Sequence, residues 1–156
     1  MNECSPPSSS SSRIFRHDNI IRVIAVGEEK LPAAAGGGAG KVLLFLFPYI
    51  SGGTLQDRID DTRAGREPMT SVEILLLFRQ ICNGVHKMHS HDPPYAHRDL
   101  KPGNVLLDEF SADGERAVLM DMGSAQLARA TPDTRNKALE IQEHAEAHST
   151  APYRAP

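Results

Sequence analysis

An Asp, a Lys and an Asn stand at offsets 0, +2 and +5 in the run His97-Arg98-Asp99-Leu100-Lys101-Pro102-Gly103-Asn104. Those residue types in that order are the parts a phosphoryl transfer needs. The carboxylate of Asp99 can accept or orient the proton of an attacking hydroxyl, and the ammonium of Lys101 can neutralise a phosphoryl group in flight. The side-chain oxygen of Asn104 can hold a Mg²⁺ from the same loop. A second carboxylate, Asp121, follows the apolar run Ala117-Val118-Leu119-Met120, which reads as a short buried strand, and opens the turn Asp121-Met122-Gly123.

The chain closes on Ser149-Thr150-Ala151-Pro152-Tyr153-Arg154-Ala155-Pro156. Each piece alone has an ordinary reading: Asp-Leu-Lys-Pro can lie in any loop, Asp-Met-Gly is a common turn, and Ala-Pro ends many helices. Their order and separation are far more specific. Loop, strand, turn and a further loop of about 30 residues resemble the catalytic loop, metal-binding turn and activation segment of a protein kinase. Lys101 two residues after Asp99 is the serine/threonine pattern. Residues 96–102, 118–124, 138–142 and 153–156 resemble the serine/threonine kinase 16 branch of the Numb-associated kinase family.

That resemblance implies roles. Asp99 and Lys101 would be catalytic, and Asn104 and Asp121 would be the Mg²⁺ ligands, with Met122 as the apolar plug where the family usually carries Phe. Phe47 would be the gatekeeper behind the adenine of ATP. Pro48 to Ile50 would be the hinge, whose backbone acceptor at Pro48 and backbone groups at Ile50 could meet the base, and Leu106 would form the apolar floor. Arg98 would anchor a phosphorylated or acidic activation segment, with Thr131, Thr134, Ser149 and Thr150 as candidate acceptors. Thr150 would more specifically hydrogen-bond toward Asp99, and His97 would pack behind the loop. ATP and Mg²⁺ are the implied cofactors and a protein the implied substrate.

The elements that must position these residues are legible in outline as an α+β, partial protein-kinase-like fold: the end of a small-lobe sheet, a hinge, and the first part of a mainly helical large lobe. The stretch from His17 to Val26 resembles the family's loop and fourth strand, its β-branched residues supporting the strand. Pro32 to Gly40 reads as a hairpin loop, and Lys41 to Phe47 as a fully buried strand. Gly36 to Lys41 is not a Walker phosphate loop, because Ala35 and Val42 stand where Gly and Ser or Thr are required. Thr70 and Glu73 form a capping box opening a long helix with Ile74, Leu77, Phe78, Ile81, Val85 and Met88 as its apolar stripe. His86, His89, His91 and His97 lack the partners of a metal set. Strong helix formers from Lys137 to Ala147 predict a helix inside the activation segment.

Composition excludes more than it identifies. The net charge of −3 gives no reason to expect nucleic acid or an acidic membrane as partner. Cys4 and Cys82 make no disulfide framework, which fits a reducing, cytoplasmic compartment. No apolar run spans a membrane, and the start lacks a signal peptide. Asn2 stands where myristoylation requires a glycine, so the acylation known in the resembling branch is not carried over. The oligomeric state stays open. Residues 1–15 read as a disordered Ser/Pro-rich tail and 16–156 as a partial kinase domain, divided into 16–50 and 51–156. The family's Gly-rich loop, strand Lys and helix Glu find no counterpart before Arg16. The chain is therefore expected to be a fragment with little turnover alone, or alternatively a catalytically inactive regulatory or interaction fragment. A small-molecule phosphotransferase of the same fold is a third reading, disfavoured by the Lys-Pro after Leu100 and the terminal Ala-Pro.

Overall fold

The computed structural model describes residues 15–31, 40–109, 111, 114–129, 134–147 and 149–153. The Ser/Pro-rich stretch, the Ala/Gly-rich loop over 32–39, Thr131 and the closing residues 154–156 lie outside the described residues. The fold is α+β, with three small antiparallel sheets and three helices among the described residues. Strand β1 (Ala25–Leu31) pairs with β2 (Gly40–Leu46), matching Ala25 to Leu46 and Leu31 to Gly40. Helices α1 (Leu55–Arg63) and α2 (Ser71–His89) follow. The rest interleaves two ribbons, β3 (Tyr95–Ala96) with β6 (Gln126–Leu127) and β4 (Val105–Asp108) with β5 (Arg116–Leu119), before helix α3 (Arg135–Ala147).

Both central helices start where the sequence stops them from unravelling. The Thr70 hydroxyl accepts from the Glu73 N–H, and the Glu73 carboxylate accepts from the Thr70 N–H at 2.7 Å. Thr54 and Asp57 repeat that capping box on α1. In each box the threonine's hydroxyl first, and then its N–H, holds the carboxyl below its usual range.

The core forms where α2 lies over β4 and β5. Leu77 and Met88 from the helix meet Val105, Leu107, Ala117 and Leu119. Gly84 lets the helix come close, since a Cβ there would stand 2.8 Å from both the Asn19 carbonyl and the Leu119 side chain. Met122 and Ala125 complete the core from the turn after β5. Asn19 then stitches the chain's early part to this core. Its side chain donates to the Ala117 carbonyl at 2.8 Å, and its own carbonyl accepts from the Leu119 N–H at 2.9 Å. Gln80 of α2 accepts from the Ala117 N–H at 2.7 Å, so a buried amide pair satisfies the edge of β5.

Four expectations from the sequence are corrected. Phe15, assigned to the tail, is 1% exposed. It packs edge-on against His91 and Tyr95 with centroids 5.3 and 5.4 Å away, so order begins one residue earlier. The strand expected to follow a loop within the stretch from His17 to Val26 instead runs from Ala25 to Leu31. Residues before it make only a single bridge, Ile20 to Leu119, because their β-branched side chains serve a different partner, the core under β5. The second strand begins at Gly40 and is not fully buried: Leu44 and Leu46 are 52% and 57% exposed, since among the described residues β1 is its sole ladder partner. The α2 stripe also splits. Leu77 and Met88 are buried while Ile74 and Phe78, at 49% and 62% exposure, flank an apolar groove against α1.

Candidate active site

The pairing of the two ribbons decides where the chemistry sits. β3 ends just before His97 and β4 begins just after Asn104, so the 97–104 loop spans the gap between two paired strands. Asp121 follows the end of β5, the partner of β4. Asn104 ties the two together: its carbonyl accepts from the Met120 N–H at 3.0 Å, one residue before Asp121. His97, 4% exposed, donates from Nε2 to the Met120 carbonyl at 3.0 Å, so the imidazole is a strut between the loop and β5. Burial pushes its pKa down against that hydrogen bond, which acts the other way.

Asp99 is the centre of the hydrogen-bond network. Its Oδ1 accepts from the Thr150 N–H at 2.9 Å and from the Thr150 hydroxyl at 2.6 Å. Its Oδ2 accepts from the Asn104 amide at 3.0 Å and pairs with Lys101 Nζ at 2.7 Å. Lys101 Nζ also donates to the Thr150 hydroxyl at 2.7 Å, closing a ring of three side chains. Burial is the largest single influence on this carboxyl and pushes it upward. Lys101 and the Thr150 hydroxyl and N–H together outweigh that and hold it well below the usual carboxylate range. Asp99 is thus ionised at neutral pH although only 9% exposed.

Backbone strain concentrates at the same place. Arg98 at φ 68° and Asp121 at φ 59° are the two non-glycine residues with positive φ among the described residues. Such conformations are tolerated by Asp and cost more for Arg. Asp121 accepts from the Gly123 N–H at 3.2 Å and is otherwise exposed. Asn104 commits its amide N–H groups to Asp99, at 2.8 Å to the carbonyl and 3.0 Å to the carboxylate, so its Oδ1 is the atom suited to a cation. Oxygen donors at Asn104 and Asp121 fit Mg²⁺ chemically. Among the described residues no group of three or more His, Cys, Asp and Glu could hold a metal.

The four adenine-site candidates line one cleft of about 550 Å³. Phe47, Pro48, Ile50 and Leu106 meet Met120 and Asp121 there. The lining is apolar except at Asp121, the arrangement that suits a flat apolar ring at one end and charge at the other. Leu106 is held under the hinge by the backbone, since the Leu107 N–H donates to the Gly53 carbonyl at 3.0 Å and Thr54 bridges Leu106. Met122 is 5% exposed, buried as an apolar plug should be. Ile21 and Met120 also line the cleft and were missed in the sequence; Met120 could have been found from its place before Asp121, whereas Ile21 arrives by tertiary contact alone.

Arg98 is not part of this cleft. Its guanidinium donates to Gln126 Oε1 at 2.7 Å and lines a separate pocket of about 480 Å³ with Arg129, Lys137 and Glu140. Helix α3, expected from Lys137, begins at Arg135 and supplies that pocket's far wall.

The protein kinase domain model matches residues 9–156. Serine/threonine-protein kinase 16 of Rattus norvegicus is 35% identical over 144 residues, covering 92% of this chain and 43% of the relative. The Homo sapiens protein of that name gives the same identity and coverage. Myosin light chain kinase 3 of Mus musculus is 38% identical over 110 residues, 70% of this chain and 12% of the relative. The chain thus spans 43% of the length of the serine/threonine-protein kinase 16 relatives it matches.

Proposed function

This chain belongs to the protein kinase domain family, and from that premise we propose that the activity it supports is transfer of the ATP γ-phosphoryl group to serine or threonine hydroxyls of a protein. The observation that carries this reading is Asp99, a buried yet ionised carboxylate oriented by Lys101, Asn104 and Thr150. In its role, Asp99 accepts or orients the proton of the acceptor hydroxyl, and Lys101 balances charge on the phosphoryl group as it moves. Asn104 Oδ1 and the Asp121 carboxylate would hold Mg²⁺, which when bound would neutralise phosphate charge. The apolar cleft accepts the adenine against Phe47 and Leu106, with the Pro48 carbonyl and the Ile50 backbone in reach of its edge. Thr150 fixes the carboxylate's rotamer, and Arg98 anchors the activation segment.

The division at residue 50 belongs to the same reading: the β1–β2 hairpin and hinge bear on the base, and residues 51–156 bear on the phosphates and the acceptor. A cytoplasmic setting is favoured by the exposed free thiol of Cys82. Among the described residues no helix is long and apolar enough to cross a membrane.

Incubation with γ-labelled ATP, Mg²⁺ and casein, followed by phosphoamino-acid analysis, tests the proposal. Label on serine or threonine that disappears in Asp99→Asn and Asp121→Asn supports it. Label unchanged by both substitutions, or nucleotide binding without any transfer, would move the chain to a regulatory role.

A further inference from the structure

We propose that the groove on the other flank of the hinge from the adenine cleft is a docking site for an acidic segment of a protein partner. The groove holds about 740 Å³ and shares Ile21, Pro48 and Ile50 with the cleft, so the hinge is the partition between them. Its rim is basic. Arg16, Arg22 and Arg116 line it with His17, against a single acid, Asp18. The chain as a whole carries a net charge of −3, and Arg116 is paired with Asp108, so the positive charge this concave surface offers rests chiefly on the exposed Arg16 and Arg22.

Each basic side chain is placed differently. Arg16 and Arg22 are exposed and come from the stretch that the Asn19 hydrogen bonds pin to β5, so their backbone is anchored while their guanidinium groups reach solvent. His17 Nδ1 accepts from the Asn19 N–H at 3.1 Å, which leaves Nε2 to donate. Arg116 is bonded to Asp108 at 2.6 Å, which fixes its guanidinium. Between these side chains the floor rests on the buried Ile20, Ile21 and Val118, and the half-buried Pro48 and Ile50 offer its accessible apolar surface.

Spaced arginines around an apolar floor match carboxylates interleaved with an apolar side chain. Guanidinium groups recognise carboxylates in planar, bidentate fashion, and the floor takes the side chain between them. A single small anion would use one rim cation and leave the floor unfilled. None of the groove residues serves in the phosphoryl-transfer reading except the shared hinge and Ile21, so the proposal goes beyond that reading and is tested without any activity measurement.

The test uses the 156-residue chain and a fluorescein-labelled peptide of alternating Glu and Leu, with the Gln-Leu peptide as neutral counterpart, followed by fluorescence anisotropy at low and at physiological salt. The expected result is saturable binding of the Glu peptide alone. The double substitution Arg16→Glu with Arg22→Glu should weaken it about tenfold or more, and Lys87→Glu on the exposed end of α2 should leave it unchanged. Both arginines are exposed, so the double variant is expected to keep its circular dichroism. As a fold-independent check, Arg16→Lys with Arg22→Lys should retain part of the affinity. Equal loss in the Lys87 variant, equal binding of the Gln peptide, or displacement by millimolar inorganic phosphate would each overturn the proposal. Binding to phosphatidylserine vesicles but not to the peptide would overturn it in favour of a membrane surface.

Discussion

Four donors converge on the Asp99 carboxylate: Lys101 Nζ, the Asn104 amide, and the N–H and hydroxyl of Thr150. A group so held can orient a hydroxyl without taking its proton early, and replacing it by Asn keeps the size while removing the charge. Asp99→Asn should lower phosphoryl transfer by about 10²- to 10⁴-fold with the fold intact, read by labelled-ATP assay beside circular dichroism. The depressed folded pKa also makes Asp99 a stabilising group above its unfolded value of about 3.9, with that contribution lost as pH falls further. His97 acts in a different window. Its folded pKa is lowered by burial, so the unfolded chain takes up the proton first and stability declines as pH drops below about 6.5. Urea unfolding between about pH 7.5 and 5.5 should show that decline, and His97→Gln, which keeps an N–H for the Met120 carbonyl, should flatten it.

At the level of elements, two glycines set distances that the site depends on. A Cβ on Gly52 would stand 2.2 Å from the Leu107 carbonyl, so the segment between hinge and α1 can lie against β4 only without a side chain. Gly52→Ala should push the hinge off Leu106 and weaken binding of a fluorescent ATP analogue by about tenfold, with a fall in the denaturant midpoint from the clash with the Leu107 carbonyl. Gly84 works on packing instead. Gly84→Ala meets the Asn19 carbonyl and Leu119, both at 2.8 Å, and should cost about 1–3 kcal/mol in denaturant unfolding. The capping box on α2 was legible because it is local: Thr and an acid three residues on act within one turn. The same pattern at Thr54 and Asp57 on α1 was there to be read and was missed. The strand expected within the loop-and-strand stretch from His17 to Val26 lies further along the chain, because alternation reports burial and not the identity of the neighbour. Ile20 and Ile21 are buried under β5, whereas the ladder with β2 begins at Ala25.

For the whole molecule, the unevenness of burial is the dominant property. Val72, Leu75 and Phe78 on α2 are 65%, 66% and 62% exposed, and Leu43, Leu44 and Leu46 on β2 add a second apolar surface. Surfaces of this kind favour association. Sedimentation velocity should show a concentration-dependent increase in mass, and Leu75→Lys combined with Phe78→Lys should reduce it without loss of helicity. The same unevenness explains why the apolar stripe of α2 was only half right: periodicity identifies a face that can be buried, while the elements that reach it decide how much is.

The sequence by itself determined the residue pattern on which the proposed chemistry rests, and its order along the chain. Asp99, Lys101, Asn104 and Asp121 are recognisable because spacing within one loop, and a carboxylate after an apolar run, are local patterns. The helix caps are local too. The bond from Thr150 to Asp99, 51 positions apart, was expected from the family resemblance. Only the tertiary structure decided that Arg98 faces a pocket apart from the cleft, and that Arg16, Arg22 and Arg116 share one groove. Those outcomes depend on strand pairing and on buried amides such as Asn19, whose partners lie far along the chain and leave no periodic trace in it.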